Sequence, residues 1–335
     1  MKILLQQGTP FFLAHGGLQT QIEQTKAGLE AVGVEVEYLR WWDDQQTGDI
    51  ILVFGRPSAW LIEMAHQKKI RVILSDLLTG QGSRPAWKHW LHRWALQGVD
   101  ALCPSMFSTK LSSRIYREID ACFALTPWEA QIMTRVYGAD FHKVHVIPNG
   151  VEEVFLNEPP RPRGKWLICT ATIADRKRVL ELSQAALIAK TPVWIIGKPY
   201  SEADPYFVSF QKLAQAHPEF IRYEGPVSDR AQMAQIYREA RGFVLLSTKE
   251  SLSISALEAA ACECPLLLSD LPWARVTFKE SAQYCPIASP EVTARYLQAF
   301  YELAPTLPLP PKPLTWRQVG EQMKGIYEEV LSTSW

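Results

Sequence analysis

Gly242-Phe243-Val244-Leu245-Leu246, then Ser247-Thr248-Lys249, then Glu250-Ser251-Leu252-Ser253-Ile254-Ser255-Ala256-Leu257-Glu258 is the most informative segment of the chain. Its opening apolar run is too short for a helix and reads as a fully buried strand. A polar turn follows, and then a helical pattern running on into Ala259-Ala260-Ala261-Cys262. Strand, turn and helix in that order place the turn at the carboxyl end of a parallel strand, where open α/β sheets bind ligands. Ser251, Ser253 and the free N–H groups of the first helical turn would face an anion there. Glu250 and Glu258 are about two helical turns apart, so both fall on one side, one at the mouth and one deeper. Glu250 reads equally as an acid favoured by the helix dipole and Glu258 as a surface residue. Glu258 runs straight into three alanines and a cysteine, an odd setting for a surface glutamate.

The same alternation fills the rest of the chain. Lys2–Gln6, Val34–Leu39, Ile50–Phe54, Val72–Leu74, Ala121–Leu125 and Val144–Ile147 read as short strands, with a helical period over Leu18–Val32. The pattern stops at Glu158-Pro159-Pro160-Arg161-Pro162-Arg163-Gly164, which can be neither helix nor central strand. It resumes at Trp166–Thr170, Val193–Ile196, Phe220–Tyr223, Gly242–Leu246 and Pro265–Ser269. A second proline cluster, Pro305 to Pro313, precedes a final helix from Trp316 to about Leu331. The fold class is therefore α/β: two Rossmann-like, doubly wound parallel-sheet domains facing across a cleft. That cleft is the default ligand site.

Composition narrows the classes. With 335 residues the chain is long enough for two domains. Lys+Arg 35 balances Asp+Glu 35, so no nucleic-acid partner is expected. No apolar run reaches the ~20 residues that span a bilayer, and the start of the chain is too short for a signal peptide, so a cytoplasmic location is expected. Cys103, Cys122, Cys169, Cys262, Cys264 and Cys285 are scattered and read as reduced, buried thiols. Neither His89-x-x-His92 nor His142-x-x-His145 is completed by further ligands, so no metal is assigned.

Glu-x7-Glu on a strand–turn–helix of the second domain, followed by Ala261-Cys262-x-x-Pro265-Leu266, resembles the nucleotide-sugar site of retaining glycosyltransferases of family 4, which have the GT-B fold. Other landmarks resemble that family in the same order. His15-Gly16-Gly17 opens the first helix as its glycine loop does, and Val146-Ile147-Pro148-Asn149-Gly150-Val151 with Phe155 stands before the linker. Ile195-Ile196-Gly197 is similar to its second glycine turn and Glu224-Gly225-Pro226-Val227 to the loop near the base. Trp316 to Tyr327 is similar to the terminal helix that crosses back to the N-terminal domain.

The resemblance implies residues 1–150 as an acceptor-binding domain, 151–165 as a linker, 166–314 as the nucleotide-sugar-binding domain, and 315–335 as a helix packing back on the first. It implies transfer of a sugar, of hexosyltransferase type, from a nucleotide diphosphate sugar to an unidentified acceptor, lipid-linked or glycan, without cofactor or metal. Glu258 would bind the donor ribose and Glu250 lie near the transferred sugar. The backbone of Ser251, Leu252, Ser253 and Ile254 would hold the sugar and diphosphate, with Gly197 on the facing turn. Lys177 would neutralise the leaving diphosphate, as positive charge there should. Gly16 and Gly17 would let backbone approach a phosphate or the acceptor closely. The donor's own β-phosphate oxygen would help deprotonate the acceptor, so no protein base is required.

The chain departs from the family at several positions. Its Gly-Arg five residues before the lysine is Ala171-Thr172 here, leaving Arg176 or Arg178 to supply the second cation. Its Glu-Gly-Phe-Gly turn is Glu250-Ser251-Leu252-Ser253, and the histidine after its fourth strand gives way to Ser75-Asp76, where Asp76 has a polar role to fill. These losses keep a second reading open, a pseudo-glycosyltransferase that binds a nucleotide sugar or a protein partner. A third, a nucleotide-sugar 2-epimerase, shares the two-domain fold.

One segment stands out from the neutral chain. Residues 84–117 carry Arg84, Lys88, Arg93, Lys110, Arg114 and Arg117 against Asp100, a local charge of +5, with Trp87, Trp90 and Trp94 at helical spacing. The stripe reads either as core beneath a solvated basic face, or as a tryptophan-faced basic helix that lies in a membrane interface. The second reading implies peripheral contact with the inner face of a membrane.

Overall fold

A computed structural model describes residues 1–8, 11, 16–84, 86–102, 114–159 and 161–334, without the side chains of 86, 97 and 99–102. His15 of the glycine loop, Cys103, Lys110 and the side chain of Asp100 lie outside that description. The chain divides into two units, Met1–Gly150 with Trp316–Trp335, and Val151–Thr315. Residues 151–165 thus belong to the second unit, where Val151 donates its N–H to Leu314 and Phe155 is buried.

The first unit runs β1 (Lys2–Gln7), α1 (Gly17–Glu30), β2 (Glu35–Tyr38), β3 (Ile50–Phe54), α2 (Ala59–Gln67) and β4 (Arg71–Ser75). It continues through α3 (Thr79–Gly82), α4 (Ala86–Leu102), α5 (Arg114–Glu118), β5 (Ala121–Ala124), α6 (Pro127–Arg135) and β6 (Val144–Val146). The second runs β7 (Leu167–Thr170), α7 (Val179–Ala189), β8 (Val193–Ile196), α8 (Pro205–Ala216), β9 (Ile221–Tyr223) and α9 (Arg230–Glu239). It ends with β10 (Gly242–Leu245), α10 (Ile254–Ala261), β11 (Leu266–Ser269), α11 (Pro272–Phe278), β12 (Gln283–Cys285) and α12 (Pro290–Leu303), after which α13 (Trp316–Ser332) returns to the first unit.

Each unit holds a six-stranded sheet of parallel pairs, ordered β2-β1-β3-β4-β5-β6 and β12-β11-β10-β7-β8-β9. Every residue of β3, β4, β10 and β11 is buried, as strands covered on both faces require. Alternation divides the side chains: Leu4, Ile51, Val53, Val72 and Leu74 enter one core, while their neighbours Ile3, Leu5, Ile50, Leu52 and Ile73 are buried on the other face. The short, half-polar β12 gave the sequence reading no apolar run to detect.

The terminal helix meets α1 through glycine. A Cβ on Gly28 would stand 2.3 Å from the Trp316 carbonyl oxygen, and one on Gly320 2.4 Å from that of Gly28. The two backbones touch there, a closeness that no side chain permits. Met323 and Tyr327 are buried along the same helix.

Helix α4 corrects the expectation that its tryptophans are core. Trp87, Trp90 and Trp94 are each 61% exposed, and Leu91 is 51% exposed. The inward stripe is His89, His92 and Leu96, the same i, i+3, i+7 spacing shifted by two positions. His89 packs edge-on to Trp128 at 5.5 Å and His92 to Tyr137 at 5.9 Å. Burial pushes both imidazoles below their ordinary pKa of 6.5; the Arg84 charge adds to the effect at His92, while at His89 the Arg84 and Gln81 backbone opposes it.

Candidate functional site

In the second unit the sheet reads 3-2-1-4-5-6 from β9 to β12, counting strands along the chain. The strand order reverses between β7 and β10, which opens a crevice at their carboxyl ends. The segments leaving those two strands are Ala171–Arg178 and Ser247–Ser253, and they are zipped together. The Thr248 N–H donates to the Arg176 carbonyl at 2.9 Å, and Arg176 Nη1 returns a bond to the Lys249 carbonyl at 2.9 Å.

Two cations converge there on Glu250, which is 8% exposed. Lys177 Nζ ion-pairs with its Oε1, and Arg176 Nη1 lies 3.3 Å from the same oxygen. Lys177 is itself largely enclosed, its side chain 13% exposed. Thr172 is half-buried in the same loop, and of the two arginines expected to stand in for its missing cation it is Arg176 that reaches Glu250. Arg178 does not take part: in the left-handed region at φ 53°, it is buried and donates to the Ala288 carbonyl.

Helix α10 begins at Ile254, with Ser253 as its N-cap accepting from the Ala256 N–H at 3.3 Å. Glu250 therefore lies in the turn, and the two-turn spacing expected between Glu250 and Glu258 does not relate them. The capping serine ends the helix short of Glu250, which turns instead to Lys177 and Arg176. Ser251, Leu252, Ser253 and Ile254 are all buried. Ala256 and Ala259–Ala261 let α10 sink against its neighbours, carrying Glu258 inside at 6% exposure.

Glu258 is surrounded by residues the sequence reading passed over. Arg230, the first residue of α9, donates through Nη2 to Glu258 and through Nε to Glu152 at 2.5 Å. Its guanidinium stacks 4.7 Å from the Phe155 ring centroid. Tyr237 donates its hydroxyl proton to Glu258 at 3.2 Å and lies 2.6 Å from the Thr170 hydroxyl. Burial pushes the Glu258 carboxyl above its ordinary value of 4.5, while Arg230 pulls the other way. These partners come from segments 21 and 28 residues upstream, beyond any local pattern. The signal that was available was Arg230 just past the Glu224-Gly225-Pro226-Val227 loop.

Gly197, at the end of β8, closes the floor. Its φ is +150°, and a Cβ there would stand 1.9 Å from the Ala171 carbonyl oxygen, so only glycine fits. Its N–H donates to Gly225 at 3.3 Å, tying the Glu224–Val227 loop to the same edge.

Gly16, Gly17 and Asp76 belong to the first unit. Gly16 is the N-cap of α1 at φ 136°, and Gly17 is its first residue. Asp76 follows β4 and is buried, paired with Arg56 at 2.7 Å and accepting from the Tyr116 hydroxyl. Arg56 lies over the Tyr137 and Tyr116 rings at 4.3 and 5.3 Å, and those rings stack on each other at 4.7 Å. Gly55-Arg56 sits where β3 ends, beside the reversal of order between β1 and β3.

The family model for glycosyl transferases group 1 matches residues 164–302, and that for the glycosyl transferase 4-like domain matches residues 37–150. The chain belongs to the glycosyl transferases group 1 family. This group 1 chain is 25% identical over 213 residues to a D-inositol 3-phosphate glycosyltransferase of Jonesia denitrificans, covering 55% of this chain and 49% of that protein. It spans about half the length of the curated relatives it matches, or less. Among solved structures it is similar to sucrose-phosphate synthase from Thermosynechococcus elongatus, with a TM-score of 0.67 at 16% identity over 99% of this chain and all of that one. It is also similar to HepE of Anabaena in complex with UDP and glucose, with a TM-score of 0.65 at 12% identity over 98% of this chain and all of that one. These likenesses show that the group 1 chain has the GT-B fold.

Proposed function

We propose that the chain is a retaining glycosyltransferase that transfers a sugar from a nucleoside diphosphate sugar to an acceptor. The observation that carries this reading is the convergence of Lys177 and Arg176 on Glu250, in the crevice where β7 and β10 part, with the buried Glu258 on the adjoining helix. Two cations beside a strand-to-helix turn are suited to a diphosphate, whose charge grows as the sugar–phosphate bond breaks. In this reading Glu250 neutralises Lys177 and Arg176 until the donor's phosphates share them, and then stands beside the transferred sugar. The backbone of Ser251–Ile254 and Gly197 line the donor. Glu258 takes the ribose hydroxyls: an ionised carboxylate has about four acceptor sites, and Arg230 and Tyr237 use two. Gly16 and Gly17 serve the acceptor side, and Asp76, paired with Arg56, holds the β3 and β4 ends of that side together.

Thermal-shift titration with UDP, GDP, ADP and their sugars tests the donor assignment. UDP is the first to try, being the nucleotide named with HepE. A ligand that binds only the folded state raises stability by RT ln(1 + [L]/Kd), about 2.7 kcal/mol at 100 Kd. One nucleotide should raise the melting temperature, and Glu258→Ala should abolish the rise. Lys177→Ala should then lower kcat about 100- to 1,000-fold with the same sugar. Binding without turnover in the wild type would favour the pseudo-glycosyltransferase, and an epimerised donor formed without acceptor would favour the epimerase. No shift with any nucleotide would overturn the donor site.

A further inference from the structure

The six exposed tryptophans among the described residues, Trp41, Trp42, Trp60, Trp87, Trp90 and Trp94, all belong to the first unit. Three of them form the outward stripe of α4, with Leu91 among them, and Trp90 and Trp94 stack edge-to-face at 5.8 Å. Half-exposed surface of this size is costly in water and marks a contact surface. The charge around it has one sign. Arg84, Lys88 and Arg93 are exposed on and before α4, and Arg135 on α6, while the only acidic residue of α4 is Asp100 near its far end. Arg114 is excluded from this set because it pairs with Glu118.

A cavity of about 230 Å³ lies between the same two helices. His89, Trp90 and Arg93 line it from α4, and Trp128, Ile132 and Arg135 from α6. Its wall is mainly apolar, and its exposed arginines stand at the rim. Neither ring nitrogen of His89 reaches a hydrogen-bond partner in good geometry, although the Arg84 and Gln81 backbone lies nearby. Trp90 thus belongs both to the exposed stripe and to the cavity, which makes the two features one surface.

We propose that this face docks on an anionic membrane, with Trp87, Trp90, Leu91 and Trp94 entering the interface and the α4–α6 cavity taking one anionic lipid. The rim arginines fit the lipid phosphate and the apolar wall fits the carbons next to it. Indole rings favour the headgroup level, and cations near an anionic leaflet each add attraction that falls off within a Debye length. The same charges would repel a second copy of this face, which argues against a dimer here. No helix among the described residues is long and apolar enough to cross a membrane, so the contact is peripheral.

Flotation of the full chain with phosphatidylcholine vesicles, with and without phosphatidylglycerol, tests the proposal. The wild type should float with the anionic vesicles only, with a blue shift in tryptophan emission, and should sink again at high salt. The triple variant Trp87→Ser, Trp90→Ser, Trp94→Ser should lose binding at least tenfold while keeping its circular dichroism and melting temperature, since the three rings are exposed. Arg93→Gln with Arg135→Gln should weaken binding about 25-fold, at about fivefold per charge. No flotation with anionic vesicles, or a triple variant that floats like the wild type, would overturn it. A wild type that sediments as a dimer, with a monomeric triple variant, would assign the face to a second copy instead. Flotation needs no donor, so this outcome is independent of the transferase reading.

Discussion

Each unit holds one buried carboxylate bonded to one arginine and one tyrosine, and the two sets differ in how they are closed. In the first unit Asp76 pairs with Arg56 and Tyr116, and Arg56 is enclosed by the stacked Tyr116 and Tyr137 rings, with its side chain 13% exposed. In the second unit Glu258 pairs with Arg230 and Tyr237, but Arg230 is 37% exposed and bridges to a second carboxylate, Glu152. A closed set is largely shut off from water and serves chiefly to hold elements together. An open set keeps solvent-accessible donors and acceptors, and can exchange a partner for a ligand. Of the cations on Glu250, Lys177 is enclosed, while Arg176, its side chain 39% exposed, extends that openness at the carboxyl ends of the same sheet.

The largest effect is expected from breaking the closed set. Asp76→Ala leaves Arg56 among aromatic rings without the carboxylate that neutralises it, and should cost about 3–5 kcal/mol in urea unfolding. Next comes Gly197→Ala, whose Cβ would meet backbone rather than a movable side chain, at a positive φ. It should cost about 3 kcal/mol, and a loss below about 1 kcal/mol would show that the Ala171 segment yields easily. Glu258→Ala should cost less, about 2 kcal/mol, because Arg230 retains Glu152 and water. If Glu258→Ala proved as costly as Asp76→Ala, the distinction between closed and open sets would fail.

The smallest effect is in pH dependence. Burial raises the Glu258 pKa, so the folded state binds this proton more tightly than the unfolded chain does. The stability it contributes is therefore fully present below the ordinary value of 4.5 and is lost as pH rises through the folded value. Glu258→Gln should remove that component from the stability profile measured by urea titration between acid and neutral pH. An unchanged profile would place the proton elsewhere in the set.

Much of the fold was legible because buried parallel strands are written as short Val, Ile and Leu runs. Ile50–Phe54 and Val193–Ile196 were read at their observed bounds. The final helix was legible from its period and from the prolines before it. The candidate site was legible in its polar landmarks, Glu250, Glu258 and Lys177. Their partners were not, because Arg230, Glu152 and Tyr237 reach Glu258 from other segments, and no local spacing encodes such a contact. Asp76 was noticed as a residue with a polar role, while Arg56, which fills that role with it, went unread.

The amino-acid sequence alone determined where most strands and helices lie, that the chain makes two α/β units, and which strand–turn–helix carries the two glutamates. Periodicity and composition act within one element, so they survive without knowledge of its neighbours. Tertiary structure alone decided that α4 turns His89, His92 and Leu96 inward and its tryptophans outward. A helical period shows that a helix has two faces, but which face is covered depends on what packs against it. It also decided that Arg176 rather than Arg178 joins Lys177, because a left-handed backbone at Arg178 sends that side chain into the unit, towards Ala288.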